Sequence, residues 1–434
     1  MANDNASSAS RLAPGLRRVL GLTEVTAGGI GIIIGAGIYV LLGSATAQAG
    51  AAVWIAFVLA AILSALTGLS YAELSSMFPS AAGEYEYTRQ VTPEWIAFVV
   101  GWMMIVGLVV AAATVSLGFG RYAGHFIDMS PRVAALALLA PVSLVAIAGI
   151  KQSARLTVVM SAVQVGGLLL IIGIGVPHLG DVNLLASRGT GALLGAAALV
   201  FFAFIGFDEV ITLAEETRDP TRTVPRALLL ALGLSTLLYL AVALTAVSVL
   251  GPAALAASPR PLADVMAHDL GHASAGMVAA IAMVSTANTT LLAITAASRV
   301  MYGMAARAAL PARLARVHPR RQTPVHAIVV VASVAAAFAA LGDLTFIAAV
   351  TDFAVYVVFL AVNGTVVVLR RLRPEIARPF AVPGTLAGVP VISVLGAVSV
   401  VIMLLHLDMR AVTLGMGLLA LGLLAGWLIR ARAR

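Results

Sequence analysis

Long stretches of this chain carry no Asp, Glu, Lys or Arg. They lie between Glu24 and Glu73, Glu94 and Arg121, Arg132 and Lys151, Arg155 and Asp181, Arg188 and Asp208, Arg226 and Arg260, Asp269 and Arg299, Arg321 and Asp343, Asp352 and Arg370, Arg378 and Asp408, and Arg410 and Arg430. A helix crossing the hydrocarbon core of a bilayer needs roughly 20 apolar residues, and the first stretch holds two such helices. The intervals therefore predict an all-α integral membrane protein with twelve spans, near 24–49, 52–77, 94–119, 133–150, 154–176, 191–214, 225–250, 273–304, 325–341, 344–369, 386–407 and 410–430. Only 11% of residues are charged, against about a quarter in soluble domains, which excludes most ordinary soluble enzymes.

Basic residues orient the spans, because Lys and Arg in short loops are retained on the cytoplasmic side. With the N-terminus inside, 22 of the 27 basic residues fall on inner segments, leaving Arg121, Arg132, Arg188, Arg260 and Arg410 outside. Both termini are thus expected in the cytoplasm, with the protein in the cytoplasmic membrane and no cleavable leader before the first span. The net charge of +8 belongs to these loops and does not indicate nucleic-acid binding. Cysteine is absent, which removes disulfides, thiolate metal sites and Cys nucleophiles. A channel would want a continuous polar pore lining and an intramembrane enzyme convergent Ser, His, Asp or metal ligands; the spans offer neither.

Two spans are interrupted. Span one reads Ala27-Gly28-Gly29-Ile30-Gly31-Ile32-Ile33-Ile34-Gly35-Ala36-Gly37-Ile38-Tyr39-Val40. Glycine costs up to about 1 kcal/mol relative to Ala in a helix, and non-helical backbone at membrane depth is tolerated only where it is buried or lines a cavity. A break at Gly35-Ala36-Gly37 would expose N–H groups at the start of a half-helix, which suit a carboxylate. Gly31-x-x-x-Gly35 also fits close packing of two helices. Span six reads Val200-Phe201-Phe202-Ala203-Phe204-Ile205-Gly206-Phe207-Asp208-Glu209-Val210, a glycine followed by two acids. The breaks occupy equivalent places in two five-span blocks, the pattern that points to a midplane site in an inverted-repeat transporter. An odd number of spans per block inverts the second block. The expected organisation is a tail over 1–22, a first repeat over 23–176, a second over 191–369 and two further helices over 386–430.

These segments resemble the amino acid–polyamine–organocation superfamily of transporters. The resemblance rests on Gly35-Ala36-Gly37-Ile38-Tyr39; Ser70-Tyr71-Ala72-Glu73-Leu74 with Phe78-Pro79 and Gly83-Glu84-Tyr85; Phe202 through Asp208; and Glu215-Glu216-Thr217-Arg218-Asp219-Pro220 with Val224-Pro225-Arg226. It continues through Ser298-Arg299-Val300-Met301-Tyr302-Gly303, Pro311, His318-Pro319, Thr323-Pro324 and Arg378-Pro379-Phe380. It departs from the family at Ala306, where an arginine is usual. The resemblance implies a LeuT-like five-plus-five inverted repeat with two extra C-terminal helices, working by alternating access and needing no cofactor. It places the substrate carboxylate on the N–H groups of Gly35, Ala36 and Gly37, with Ile34 beside them. The α-ammonium would meet carbonyls near Ile32 and Ile33 in span one and at Phe202, Ala203 and Ile205 in span six, and Phe204 would gate the site.

Cationic carriers of this superfamily tend to place an acid in span three, which here reads Gly101-Trp102-Met103-Met104-Ile105-Val106-Gly107-Leu108. An uncompensated buried charge is costly, so the expected substrate is a neutral L-amino acid; the alternative is an exchanger or facilitator of cationic amino acids or polyamines, to which Asp208 or Glu209 would lend negative charge. Asp208 equally suits a backbone bond at the end of the break. Some members carry a titratable lysine in span five, where alignment puts Gln164. A sodium site would draw on Thr286, Thr289 or Thr290, which equally suit interhelical bonds. A proton is expected as coupling ion ahead of sodium, with Asp352 an intramembrane acid and so a functional candidate by default. Glu73 and the Glu215-Glu216 pair are expected to meet loop arginines at an inner gate. Asp264, His268 and His272 have helical spacing but match no metal motif, and no metal site is expected.

Overall fold

A computed structural model of the protein describes residues 20–78, 83–149 and 153–432. The tail before residue 20 and the side chains of Glu215, Glu216 and His272 lie outside the described residues. The helices are α1 (Leu22–Ile33), α2 (Gly37–Ala49), α3 (Val53–Met77), α4 (Gly83–Arg89), α5 (Glu94–Ala123), α6 (Pro131–Ala148), α7 (Ser153–Gly175), α8 (Thr190–Val200), α9 (Pro220–Ala257), α10 (Pro261–Leu270), α11 (His272–Ala306), α12 (Val325–Leu341), α13 (Leu344–Leu372), α14 (Val391–Leu404) and α15 (Met409–Arg432). The two short strands β1 (Thr385–Leu386) and β2 (Val389–Pro390) form a hairpin before α14. Among the described residues nine helical segments are long and apolar enough to cross a membrane; α1 and α2, bent by 46° at their junction, make a tenth, and α12 and α14 are shorter apolar helices.

Local sequence accounts for several ends. Ser130 accepts the Val133 N–H at 3.4 Å ahead of Pro131, the first residue of α6, and Asp343 accepts the Phe346 N–H at 3.1 Å to start α13; both are side-chain N-caps. Pro at the first helical position loses no internal bond. α9 is kinked where Gly251 takes φ 72° just before Pro252. Span six departs from a plain half-helix after its break: residues Asp208–Glu216 form a tighter 3-10 helix.

α5 is the most enclosed segment, packed against α11, α13 and α6. Large apolar side chains on α6, α7, α12 and α15, among them Leu144, Leu169, Val329 and Leu421, are exposed, as expected of helices whose outer faces meet hydrocarbon rather than water. The chain just ahead of α1 is tied to the segment that follows span six through the Arg218 N–H, which donates to Leu20 O at 3.0 Å.

Candidate functional site

The break in span one occupies residues 34–36. The Ile34 N–H still reaches Ile30 O at 2.7 Å, whereas the Gly35 N–H turns back on Ile33 O, also at 2.7 Å. The first bond of α2 runs from the Val40 N–H to Ala36 O at 3.0 Å. The N–H groups of Ala36, Gly37, Ile38 and Tyr39 therefore precede the first turn, where helix donors lack internal partners and the dipole is positive. Gly35 spends its own donor inside the break, so of the Gly35, Ala36 and Gly37 N–H groups only those of Ala36 and Gly37 belong to the set that precedes the first turn.

In span six, α8 gives way at Phe201–Phe204 to a 3-10 turn, and Gly206 takes φ 114°, a conformation that L side chains rarely adopt. The Asp208 carboxylate accepts the Gly206 N–H at 3.0 Å and is buried, so it clamps the turn. The two breaks touch: a Cβ on Gly37 would lie 2.4 Å from Ala203 Cα, and one on Gly206 would lie 3.2 Å from Ile32 O. Tyr239 of α9 joins them, its hydroxyl proton shared between Ile33 O at 2.7 Å and Ala203 O at 3.0 Å. Phe202 O in turn accepts the Ile205 N–H at 3.3 Å. Of the carbonyls expected to meet an ammonium group, those of Ile32 and Ile205 take no such bond among the described residues.

Between the breaks lies a cavity of about 50 Å³. Ile32, Gly35–Gly37, Ala203 and Ile205 of the two breaks border it; Leu108, Ala111 and Val115 of α5 and Leu292 and Ala293 of α11 make apolar walls. Phe202, Ile33, Glu209 and Thr289 also line it. Ile34, Phe204, Gln164, Asp208, Thr286, Thr290 and Asp352 do not. Phe204 instead packs against Tyr239 and Phe57, with ring centroids 5.3 and 6.5 Å away; the aromatic at the cavity is Phe202.

The hydroxyls of Thr286, Thr289 and Thr290 donate one turn back along α11, to Ala282 O at 2.7 Å, Ser285 O at 3.0 Å and Thr286 O at 2.8 Å. Gln164 accepts the Tyr39 hydroxyl on its backbone carbonyl at 2.8 Å, while both its amide atoms are buried without a partner among the described residues. The two Asp352 oxygens are likewise buried and unpartnered.

Away from the cavity lining, polar groups staple three helices. The Ser70 hydroxyl of α3 donates to Asn363 Oδ1 of α13 at 2.7 Å and pairs with Ser393 Oγ of α14 at 2.8 Å, and the Asn363 amide donates to Thr67 Oγ1 at 3.0 Å. Nearby Glu73, 1% exposed, meets Arg370 and Arg378 and accepts the Val382 N–H at 2.7 Å. Glu84 accepts the Tyr71 hydroxyl at 3.0 Å. Near the start of α11, His178 and His268 each bond one oxygen of Asp269, at 2.8 and 2.9 Å. The hydrogen bond from His268, and then that from His178, hold the Asp269 carboxyl below the usual carboxylate range. No group of three or more His, Cys, Asp or Glu fit to hold a metal is found among the described residues. Sequence reasoning missed Tyr239 and the Asn363 network; the available signal was a lone phenol and a few hydroxyl and amide groups inside charge-free intervals.

The family model described as amino acid permease matches residues 20–416. The chain is similar to a branched-chain amino acid permease of Bacillus subtilis, at 30% identity over 90% of this chain and 88% of the relative. It is also similar to a methylthioribose transporter of the same organism, at 30% identity over 90% and 88%. A third relative is cationic amino acid transporter 4 of Mus musculus, 30% identical over 87% of this chain and 64% of its own.

Proposed function

Because the chain belongs to the amino acid permease family, and so is a multi-pass transporter of amino acids and not an enzyme, we propose that it moves neutral L-amino acids across the cytoplasmic membrane by alternating access. The observation that carries this reading is the cavity at the two breaks. Its polar groups include backbone, the N–H groups ahead of α2 for a carboxylate and the Ile32 and Ile205 carbonyls for an ammonium, with Thr289 and Glu209 as the polar residues that also line it. Its walls against α5 and α11 are mainly hydrocarbon. A site of this kind reads the part common to all α-amino acids and leaves an apolar space for the side chain. The B. subtilis relative named for branched-chain amino acids fits that chemistry.

The proposed architecture is twelve spans, with α12 and α14 completing the ten longer ones. They form two inverted repeats over 23–176 and 191–369 and two added helices over 386–430, with both termini cytoplasmic. The proposed coupling ion is a proton. The threonine hydroxyls of α11 are bonded within their own helix, which favours a proton over sodium; Gln164, unlike a lysine, cannot titrate, so the proton would be carried by another group.

A second reading, exchange of cationic amino acids or polyamines, is favoured by the Glu209 carboxyl on the cavity lining and by the mouse relative's name. Uptake into proteoliposomes over an amino acid panel separates the two. Leu, Ile, Val or Ala should be transported and should compete with one another; transport of Arg, Lys or putrescine alone would overturn the neutral-substrate reading.

A further inference from the structure

Asp352 is fully buried in α13, and neither of its carboxyl oxygens has a partner among the described residues. It lies nine residues into the helix from the Asp343 cap, about 13 Å from that end at 1.5 Å per residue. An unpaired carboxylate at such depth costs several kcal/mol or more. Something positive must therefore accompany the group, and the surroundings limit what that can be. The titratable neighbour beside it is Tyr356, one turn further on, whose hydroxyl is already given to Ala198 O at 3.1 Å. The other charged or titratable groups on elements packed against α13 sit toward the helix ends or on the short α4: Arg121 and Tyr122 of α5 and Arg410 of α15 toward one end, and Glu94 of α5, Tyr71 and Glu73 of α3, Glu84, Tyr85, Glu86, Tyr87 and Arg89 of α4, and Arg430 and Arg432 at the close of α15 elsewhere. α8 and α14 carry none. A metal cation needs a shell of several oxygens, whereas the facing stretch of α5, Val106–Ala113, carries no polar side chain. A proton needs only the carboxyl itself.

The place of Asp352 in the fold gives that proton leverage. The next turn of α13 presents Tyr356, whose ring lies 4.7 Å from that of Phe201 and whose hydroxyl holds Ala198 O. Ala198 belongs to the last turn of α8, and Phe201 opens the break that borders the cavity. A charge appearing on Asp352 would draw water or a counter-ion into the seam between α13 and α8, beside the contact that holds the two together. Coupling needs such a two-state element that both ligands bias: the substrate through the break and the proton through Tyr356.

We propose that Asp352 is the proton-binding site of the transport cycle, taking up a proton from one side of the membrane and releasing it to the other as the α13–α8 seam closes and opens. The inference rests on the transporter reading above and adds the residue that carries the coupling.

The test compares wild type, Asp352→Asn and Asp352→Glu in proteoliposomes, using radiolabelled leucine and alanine in two assays. One is accumulation driven by an imposed pH gradient of one unit; the other is equilibrium exchange with the same amino acid on both sides and no gradient. For one proton per substrate, a one-unit gradient supports about tenfold accumulation. Wild type should approach that ratio, Asp352→Asn should fall to a ratio of about one while keeping exchange within about threefold, and Asp352→Glu should restore accumulation. Exchange without proton-driven accumulation in wild type, undiminished accumulation in Asp352→Asn, or loss of exchange together with accumulation in Asp352→Asn would each overturn the inference. No exchange of any amino acid by wild type would instead sink the transporter reading itself. A sodium gradient replacing the pH gradient is the final arm, and dependence on sodium removed by Asp352→Asn would reject the proton.

Discussion

Adding one methyl group at Gly37 tests whether the junction of the two breaks is the binding site. The new Cβ would lie 2.4 Å from Ala203 Cα, 2.8 Å from its Cβ and 3.1 Å from its N. Ordinary contact begins near 3.4 Å, so the breaks must part by about 1 Å, and a backbone neighbour cannot rotate aside as a side chain does. Overpacking of this kind costs about 1–3 kcal/mol. If that strain is relieved by parting the breaks, the N–H and carbonyl sets no longer fit one substrate, and at 1.4 kcal/mol per tenfold the same range weakens binding by about 5- to 150-fold. Two companion variants set the scale. Gly35→Ala meets the Thr289 side chain at 3.1 and 3.3 Å, which can yield by a few tenths of an ångström, so a smaller loss is expected. Gly166→Ala meets nothing within 4 Å and should bind as wild type. The assay is leucine affinity of purified protein in detergent, with monodispersity confirming the fold. A folded Gly37→Ala protein that binds leucine within twofold of wild type would refute the placement of the site.

Two other expected outcomes concern the groups that hold the site. Tyr239→Phe leaves Ile33 O and Ala203 O without their shared donor; an unsatisfied buried acceptor costs about 1–3 kcal/mol, so the melting temperature should fall and leucine affinity with it, and an unchanged pair of values would count against Tyr239 as the tie between breaks. Glu73→Gln removes the charge that Arg370 and Arg378 share. Breaking a buried pair costs about 3–5 kcal/mol, which thermal unfolding should register as a clear loss, partly recovered when Arg370→Gln is added.

The breaks were legible in the sequence for a physical reason: glycine density and paired acids are expensive in lipid, so their presence marks a place where the backbone leaves the helix. The charge-free intervals located most of the helices within a few residues for the same reason, the larger departures being α9, which runs over Pro220–Ala257, α14, which begins only at Val391, and span six, whose α-helix ends at Val200. Which aromatic borders the cavity was not legible. Within a break the helical phase is lost, so the spacing of Phe202 and Phe204 no longer says which side each faces, and the structure puts Phe202 at the cavity and Phe204 against Phe57 and Tyr239. Nor could local pattern find Tyr239 or Asn363, whose partners in other elements lie 36 to 296 residues away in the chain. Gln164 and Asp352 stood out from sequence as polar groups in apolar intervals, but that neither side chain has a partner among the described residues is a property of the packing alone.

The proposed site would divide its recognition between main chain and side chains, and that division bears on how such a protein can change over generations. Peptide N–H and carbonyl groups are the same whatever residue carries them, so most single substitutions leave the reading of the ammonium and carboxylate untouched. The walls at Leu108, Ala111 and Leu292 are ordinary side chains, each open to replacement by a neighbour in the genetic code. A lineage built on this plan can explore new cargo by altering a handful of wall positions while its grip on the α-amino acid head stays fixed, and the glycines that permit the breaks are the positions it has least freedom to lose.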